Sequence, residues 1–324
     1  MPVRVALLSM AHVHAPSYAH CLAGNSGAEL SVIWDDDAAR GSAAASTYGC
    51  EFAPDLSRAL EKCDAVVIAS ENLRHGDLIE QAATSGKPIL CEKPVAASAE
   101  EVNRIREVVN STGVKFATAF PCPFSPNFAR LKARLDAGEI GDLLAAQTTN
   151  RGTFPGGWFA QPELSGGGAT IDHVVHVADL LRRLIGANPE RVVTKGNNHM
   201  KGGIVEDCAM VLLEYPNNVF ATLDASWSRP SSYKTWGDVT LTLTGTAGVL
   251  ETSLFGQAID LYVNGIGHGL SGYGSNLDAA MVQNFVDYVT GKAEPLSTLE
   301  DGLAASSVAL AALQSLRAAE PVTA

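Results

Sequence analysis

The segment GGGATIDHVVHVADLL, residues 166–181, joins a triple glycine to polar side chains at helical spacing. On a helix, Asp172, His176 and Asp179 recur at i, i+4 and i+7 and form one polar stripe. In that arrangement Asp172 can orient His176, and an oriented histidine can transfer protons near neutral pH. A capped surface helix with incidental histidines is the alternative. The pattern favours acid–base chemistry at the start of this helix.

The segment CEKP, residues 91–94, contributes a second candidate group. It follows a short apolar run, so Glu92 and Lys93 are predicted to lie at the carboxyl end of a strand. A lysine beside a cofactor pocket can donate to a reacting oxygen. A solvated loop explains an isolated Glu-Lys-Pro equally well, so these residues have to be interpreted in the context of the whole chain.

The elements that must position these groups alternate along the first 120 residues. Strands are predicted at residues 4–9, 30–35, 64–70, 88–93 and 115–120. Their nearly continuous Val, Ile, Leu and Ala is typical of parallel strands covered on both faces. Helical stretches lie between them, one of which has Ser98 and Glu101 at capping-box spacing. Repeated βα units predict an α/β fold with a doubly wound parallel sheet.

The pattern changes after the proline-rich residues 121–126. A helix near 126–137, a strand at 143–149 and the Asp172 helix are followed by strands in series, with residues 216–218, PNN, as a hairpin turn. Strands without intervening helices predict a mostly antiparallel sheet. We therefore expect two domains, residues 1–120 and residues 121–324, of which the second is α+β.

The loop after the first strand has the position of a dinucleotide-binding loop but contains no glycine. Ser9, Ala11 and His14 stand where G-x-G-x-x-G has its glycines. His12 and His14 could donate to phosphate. Asp35 follows His14 by 21 residues, the spacing of an acid that binds the adenosine ribose. Two more aspartates follow it and would repel a 2′-phosphate, so NAD is favoured over NADP, although the three acids could merely cap the next helix.

Ligands of doubly wound sheets bind beyond the carboxyl ends of the strands. The end of the third predicted strand contributes Ser70, Asn72 and His75, and the end of the fourth contributes Glu92 and Lys93. These residues are therefore further candidates for cofactor binding.

Composition excludes several other classes of function. A net charge of -12 argues against nucleic acid as a partner, and no apolar run approaches the roughly 20 residues of a membrane span. Six scattered cysteines without a CxxC pair indicate a reduced, cytoplasmic protein. His12 and His14, with His173 and His176, could instead hold a metal, as in metal-dependent hydrolase barrels. That fold needs eight βα units and only about five are predicted, so no metal is expected.

Together these segments resemble the Gfo/Idh/MocA family of oxidoreductases. The resemblance covers almost the whole chain. It rests on SENLRH, GKPILCEKPVAAS, GGGATIDHVVHVADLL, EDCAMVLLEY, LTGTAGVLE and the segment from NFVDYVTGKAEPL onward. It implies an N-terminal Rossmann domain that binds NAD or NADP. It also implies a C-terminal domain whose large open sheet supports the substrate site and the contacts of a homodimer or homotetramer.

The resemblance also implies an activity and its residues. Family members mostly oxidise a secondary hydroxyl of a sugar or cyclitol, or reduce the matching ketone, and Lys93, Asp172 and His176 match the family's catalytic residues. His176 could accept the hydroxyl proton while Lys93 stabilises the alkoxide, and the reverse assignment stays open. By position, Arg151, Trp158 and Phe159 are expected to line the substrate pocket. A nucleotide-binding regulatory protein with weak turnover is the alternative function.

Overall fold

The computed structural model describes residues 1–265, 267–272 and 274–323, and the chain divides into two compact units. The first unit consists of Met1–Pro121, Glu163–Gly166 and Leu277–Ser306. The second consists of Cys122–Pro162, Gly167–Asn276 and Ser307–Ala324. The chain therefore crosses between the units several times. The predicted functional domains 1–120 and 121–324 stay a prediction.

Strands and helices alternate through the first 121 residues. They are β1 (Val3–Leu8), α1 (Ala15–Ala23), β2 (Ala28–Trp34), α2 (Ala38–Tyr48), β3 (Glu51–Ala53), α3 (Leu56–Glu61), β4 (Ala65–Ile68), α4 (His75–Thr84), β5 (Ile89–Glu92), α5 (Ala99–Thr112) and β6 (Phe116–Ala119). The strands form a parallel sheet in the order β3-β2-β1-β4-β5-β6. The predicted doubly wound sheet is confirmed. It also contains β3, whose three residues were too short to give a sequence signal.

Burial explains why these segments form central strands. Every residue of β4, β5 and β6 is buried, and five of the six residues of β1 are buried. A strand covered on both faces has no polar face, which is why its sequence is a continuous apolar run. Helix α5 begins where Ser98 was expected to cap it, since the Ser98 hydroxyl accepts from the Glu101 N–H at 3.3 Å.

The rest of the chain contains α6 (Pro126–Asp136), β7 (Leu143–Gly152), α7 (Pro162–Ser165), α8 (Ala169–Ile185), β8 (Arg191–Asn197), β9 (Cys208–Glu214), β10 (Phe220–Asp224), β11 (Gly237–Gly245), β12 (Val249–Ser253), β13 (Ala258–Val263), β14 (Gly267–Gly272), α9 (Leu277–Val289), α10 (Leu299–Ala318) and β15 (Val322–Thr323). Seven strands form a sheet in the order β12-β11-β7-β10-β9-β8-β15, and β13 and β14 pair separately. The pair β7–β10 is parallel and the others are antiparallel, so the prediction of a mostly antiparallel sheet is confirmed.

The two faces of the seven-stranded sheet differ in burial. Side chains such as Ala146, Val211 and Leu241 are buried on one face, where α8 packs against β7 and β9. Met210 and Phe220 belong to the other face and are about half exposed. Residues 216–218 form the expected turn between β9 and β10. Helix α9 belongs to the first unit, where it packs on α1.

None of the described helices combines the length and the apolar character that crossing a membrane requires.

Candidate active site

A buried carboxylate lies at the carboxyl edge of the parallel sheet. Glu92 ends β5 with no exposed side-chain surface, and its Oε1 accepts from the Tyr18 hydroxyl at 2.5 Å. His14 Nδ1 lies 2.5 Å from the same oxygen and His12 Nδ1 lies 3.4 Å from it. The backbone N–H of Lys93 donates to Oε2 at 2.5 Å. Burial alone would raise the pKa of Glu92, but the two imidazoles hold it well below its usual range.

Among the described residues, His12, His14 and Glu92 also have the spacing that could hold a metal ion. One ligand atom each of His12, His14 and Glu92 lies within 4.8 Å of the others. His14 and Glu92 are already at hydrogen-bond distance, and His12 Nδ1 accepts from the His14 N–H at 3.2 Å. These bonds join the three residues into one hydrogen-bonded network around the buried carboxylate.

The loop from Ser9 to His14 is bonded to itself and to the sheet. Ser9 has a left-handed backbone with φ 74°, the conformation that a glycine would adopt most easily. Five of the six backbone N–H groups of the loop donate within the unit. Those of Ser9, Met10 and Ala11 donate to the Trp34 carbonyl, the Asp35 carboxylate and the Ser9 hydroxyl, respectively. Those of His12 and His14 donate to the Ala69 carbonyl and to His12 Nδ1. The partly exposed ring of His14 is thus better placed than these N–H groups to meet an anion.

Asp35, the acid predicted to bind the ribose, is buried with no exposed side-chain surface. Its carboxylate accepts from the Met10 N–H at 2.8 Å, the Asp37 N–H at 2.9 Å, and Arg40 Nε and Nη2 at 2.8 and 2.7 Å. Burial opposes ionisation, but the bonds from Arg40 and the backbone lower the pKa of Asp35 below its ordinary value. Four bonds use the four acceptor positions that a carboxylate offers.

A cavity of about 240 Å³ lies beyond the carboxyl ends of the parallel strands in the first unit. Its lining is formed by Ser9, Trp34, Asp36, Leu56, Ser70, Arg74, Asp77, Leu78 and Gln81. The sequence predicted a role here for Ser9 and Ser70. Asp36 takes the place in the lining that was expected for Asp35.

Asn72 and His75 are buried beside this edge and bind backbone carbonyls. Asn72 Nδ2 donates to Ser165 at 2.9 Å, and His75 Nδ1 donates to Pro94 at 2.8 Å. Complete burial lowers the pKa of His75, so its imidazole is neutral at pH 7. His75 therefore fixes the turn that directly follows Lys93, whose side chain is 2% exposed.

In the second unit, the start of α8 depends on Glu206. The N–H groups of Gly168 and Thr170 donate to Glu206 Oε1 at 3.0 and 3.1 Å, and the Ala169 N–H donates to the Glu206 carbonyl at 2.9 Å. A carboxylate at this end of a helix also interacts favourably with the helix dipole. A Cβ on Gly168 would lie 2.0 Å from the Glu206 carbonyl oxygen. Only glycine therefore permits this approach.

The first turns of α8 carry the predicted catalytic pair. Asp172 Oδ2 accepts from the Trp227 indole N–H at 3.0 Å and lies 3.2 Å from His173 Nε2. His176, 8% exposed, has its Nδ1 4.0 Å from Cys122 Sγ. Further along the stripe, Asp179 accepts from its own helix neighbour Arg183 at 2.9 Å.

The aromatic residues before the glycines form a packed cluster. Phe159 is 4% exposed and packs with Trp227, Ala169 and Val205, while the half-buried Trp158 stacks on Phe159 at 3.9 Å between ring centroids. Phe159 thus supports the residue that binds Asp172. Its assignment, and that of Trp158, to a substrate pocket stays a prediction.

Arg151 lies on a different face from α8. A Cβ on its neighbour Gly152 would lie 3.0 Å from the imidazole of His173 on α8, and side chains alternate along a strand. Arg151 Nη2 lies 3.0 Å from Asp238 Oδ2 on the opposite face. This position separates Arg151 from Asp172 and His176, and its role in substrate binding stays an untested prediction.

Four residues of these networks were missed by sequence reasoning. Tyr18, Arg40, Glu206 and Trp227 each bind a predicted site residue or its helix. Glu206 lies in the segment EDCAMVLLEY, which carried part of the resemblance. The others had no signal, because Tyr18 and Trp227 bind partners remote in sequence, and Arg40 reaches back to Asp35, which precedes the start of α2.

Two family models match the chain. One, described as an oxidoreductase family with an NAD-binding Rossmann fold, matches residues 9–120, and the other, the GFO/IDH/MocA C-terminal domain, matches residues 128–251. An inositol 2-dehydrogenase of Rhizobium meliloti is 34% identical over 59% of this chain and 58% of its own length. The aligned part of the chain thus spans less than two thirds of that relative.

Other relatives match over nearly their full length. A scyllo-inositol 2-dehydrogenase (NAD(+)) of Bacillus subtilis is 29% identical over 99% of this chain and 96% of its own length. The crystal structure of a putative myo-inositol dehydrogenase from Sinorhizobium meliloti 1021 superposes with a TM-score of 0.82 at 27% identity, covering 99% of both chains.

Proposed function

We propose that this chain, which belongs to the Gfo/Idh/MocA family of oxidoreductases, transfers hydride between a nicotinamide dinucleotide and a secondary hydroxyl of a cyclitol or sugar. The observation that carries the proposal is Lys93, a buried lysine directly after β5 at the carboxyl edge of a Rossmann sheet. The names of the inositol dehydrogenase relatives support a cyclitol as the substrate.

The residues at this edge fit a dinucleotide, with NAD proposed ahead of NADP. The cavity of about 240 Å³, whose lining includes Trp34 and Leu56, is proposed to bind the adenine ring. The turn at Ser9 has the backbone conformation that the first glycine of a dinucleotide loop would supply. Ala11, His12 and His14 continue this loop, and Ser70, Asn72, His75 and Glu92 surround it from neighbouring strand ends. When bound, NAD would supply the hydride acceptor.

His14 is proposed to replace the backbone donors of a glycine-rich loop. Glu92 puts a negative charge beneath the loop, and that charge alone would repel a pyrophosphate. The ring of His14, which bonds to Glu92, is 31% exposed and is the part of this cluster that a pyrophosphate can reach. Binding of the pyrophosphate is therefore expected to use the imidazole of His14.

The reaction requires that the hydroxyl proton leave as hydride leaves carbon. We assign proton acceptance to His176 and stabilisation of the charge on oxygen to the Lys93 ammonium. Asp172, whose Oδ2 accepts from the Trp227 indole N–H, lies one helical turn before His176 on α8. If Lys93 is instead the base, turnover will follow a lysine-like group in the pH profile rather than a histidine.

Lys93→Met tests the proposal. We expect it to reduce turnover of NAD+ with a cyclitol panel by about 100- to 1,000-fold while NAD+ affinity stays nearly constant, because one charged group has been lost from the transition state. Lys115→Met is the matched control, since Lys115 lies at the amino end of β6 and binds the carbonyls of Tyr288 and Val289.

Normal turnover by Lys93→Met would refute the catalytic assignment. NAD+ binding by the wild type without hydride transfer to any polyol would favour a regulatory protein. Stoichiometric zinc, with activity lost on chelation, would favour the hydrolase alternative at His12 and His14. The homodimer or homotetramer and the cytoplasmic location also stay predictions, and light scattering tests the first.

A further inference from the structure

The two acids that follow β2 have different environments. Asp35 is fully buried, and its carboxylate already accepts four hydrogen bonds from Met10, Asp37 and Arg40. The side chain of Asp36 is 30% exposed and belongs to the cavity lining. An additional hydroxyl donor can therefore reach Asp36, whereas at Asp35 it would have to displace a bond that holds the loop or α2.

Two guanidinium groups flank Asp36. Arg40 Nη2 lies 3.0 Å from Asp36 Oδ1, and Arg74 Nη1 is paired with Asp36 Oδ2. Arg40 is fixed by its bidentate pair with Asp35 and is one third exposed. Arg74 comes from the turn before α4, is 46% exposed, and has Glu71 at 3.6 Å as its other carboxylate neighbour.

We propose that Asp36, and not Asp35, binds the adenosine ribose hydroxyls, and that Arg74 and Arg40 form a masked binding site for the 2′-phosphate of NADP. The inference deepens the proposed function and depends on it only in taking a dinucleotide as the ligand. An acid at this place accepts from ribose hydroxyls in NAD sites, and an arginine accommodates the phosphate in NADP sites. This chain holds both groups, and they neutralise each other.

The pairing explains how one side chain decides between the two dinucleotides. In the wild type, Asp36 repels a phosphate dianion and occupies both guanidinium groups. Without its charge, Arg40 and Arg74 each lose one carboxylate partner, and arginine binds phosphate through paired N–H donors. Asp77 also lines the cavity but pairs with Arg104 on α5, so removing its charge releases neither Arg40 nor Arg74.

Calorimetric titration of Asp36→Asn with NAD+ and NADP+ tests the inference. Because one hydrogen bond to a charged group changes affinity by roughly tenfold or more, we expect the Kd for NAD+ to rise by about that factor and the Kd for NADP+ to fall by a similar one. Comparing the Kd of adenosine 2′-monophosphate with that of adenosine measures the contribution of the 2′-phosphate to binding. Adding Arg74→Met to Asp36→Asn should abolish the gain for NADP+.

Matched variants separate this effect from general electrostatics. Asp77→Asn removes the same charge from the same cavity and should leave the ratio of the two Kd values within about twofold of the wild type. If Asp36→Asn also leaves the ratio of the two Kd values nearly unchanged, the inference is overturned. It is overturned as well if Asp35→Asn, and not Asp36→Asn, reverses the preference for NAD+ over NADP+. Neither result affects the proposed function. A wild type that binds neither dinucleotide overturns both the inference and the proposed function.

Discussion

The bond between the Trp227 indole and Asp172 is the contact that most directly controls a proposed catalytic side chain. Trp227→Phe removes the donor and keeps an aromatic ring in the cluster. Trp227 is 1% exposed and its Nε1 lies 3.0 Å from Asp172 Oδ2. The carboxylate is 13% exposed, so water does not fully replace the lost partner.

The magnitude follows from two contributions. A hydrogen bond to a charged group contributes about 1.5–3 kcal/mol. The smaller ring leaves a void of roughly 40 Å³, which costs about 1 kcal/mol if the cluster does not relax. We therefore expect the free energy of unfolding to fall by about 2.5–4 kcal/mol, measured by urea denaturation.

Kinetics distinguish a positioning role from simple packing. If Trp227 orients Asp172, kcat should fall by about tenfold or more with little change in KM, and the acid limb of the pH profile should shift. Phe154→Leu is the matched control, because Phe154 contacts the Trp227 ring edge-on at 5.3 Å and makes no bond to Asp172 in the described structure. Equal kcat values and pH profiles for the two variants would refute the reasoning.

Three other buried positions give independent tests. Glu92→Gln removes the charge at the centre of the His12, His14 and Tyr18 network. We expect urea denaturation at pH 7 to show a free energy of unfolding lower by about 1–3 kcal/mol, and an unchanged value would contradict the network. Burial lowers the pKa of His75, so the folded protein keeps the full contribution of the neutral imidazole to its stability above about pH 6.5. As pH falls further, the free energy of unfolding should decrease by up to about 1.4 kcal/mol per pH unit. His75→Gln should flatten that slope in unfolding curves recorded between about pH 7.5 and about pH 5. Gly168→Ala brings a Cβ to 2.0 Å from a backbone oxygen and should lower the free energy of unfolding by about 3 kcal/mol or more. The control Gly186→Ala lies in open space at φ 79° after the same helix and should lower it by only about 1–2 kcal/mol. Equal decreases for the two variants would exclude the clash at Gly168.

The sequence predicted most of the fold because its signals are local. The continuous apolar runs of β1, β4 and β5 follow from burial on both faces, and the change to strands in series after residue 190 follows from an antiparallel sheet. Segments such as GKPILCEKP and the GGG helix also predicted the family, and the family is confirmed. The short β3 was missed because three residues carry no periodicity.

By itself, the sequence determined the two classes of sheet, the family and the residue types available for catalysis, because periodicity and motif spacing are written along the chain. Tertiary structure alone decided which of those groups are free to bind a ligand. Asp35 and Asp36 are adjacent and identical in type, yet one accepts four bonds from Met10, Asp37 and Arg40 and the other lines a cavity. Likewise, only folding brings Trp227 to Asp172 and Tyr18 to Glu92. The physical reason is that hydrogen-bond capacity and burial depend on neighbours in space, and residues distant in sequence leave no local pattern to reveal them.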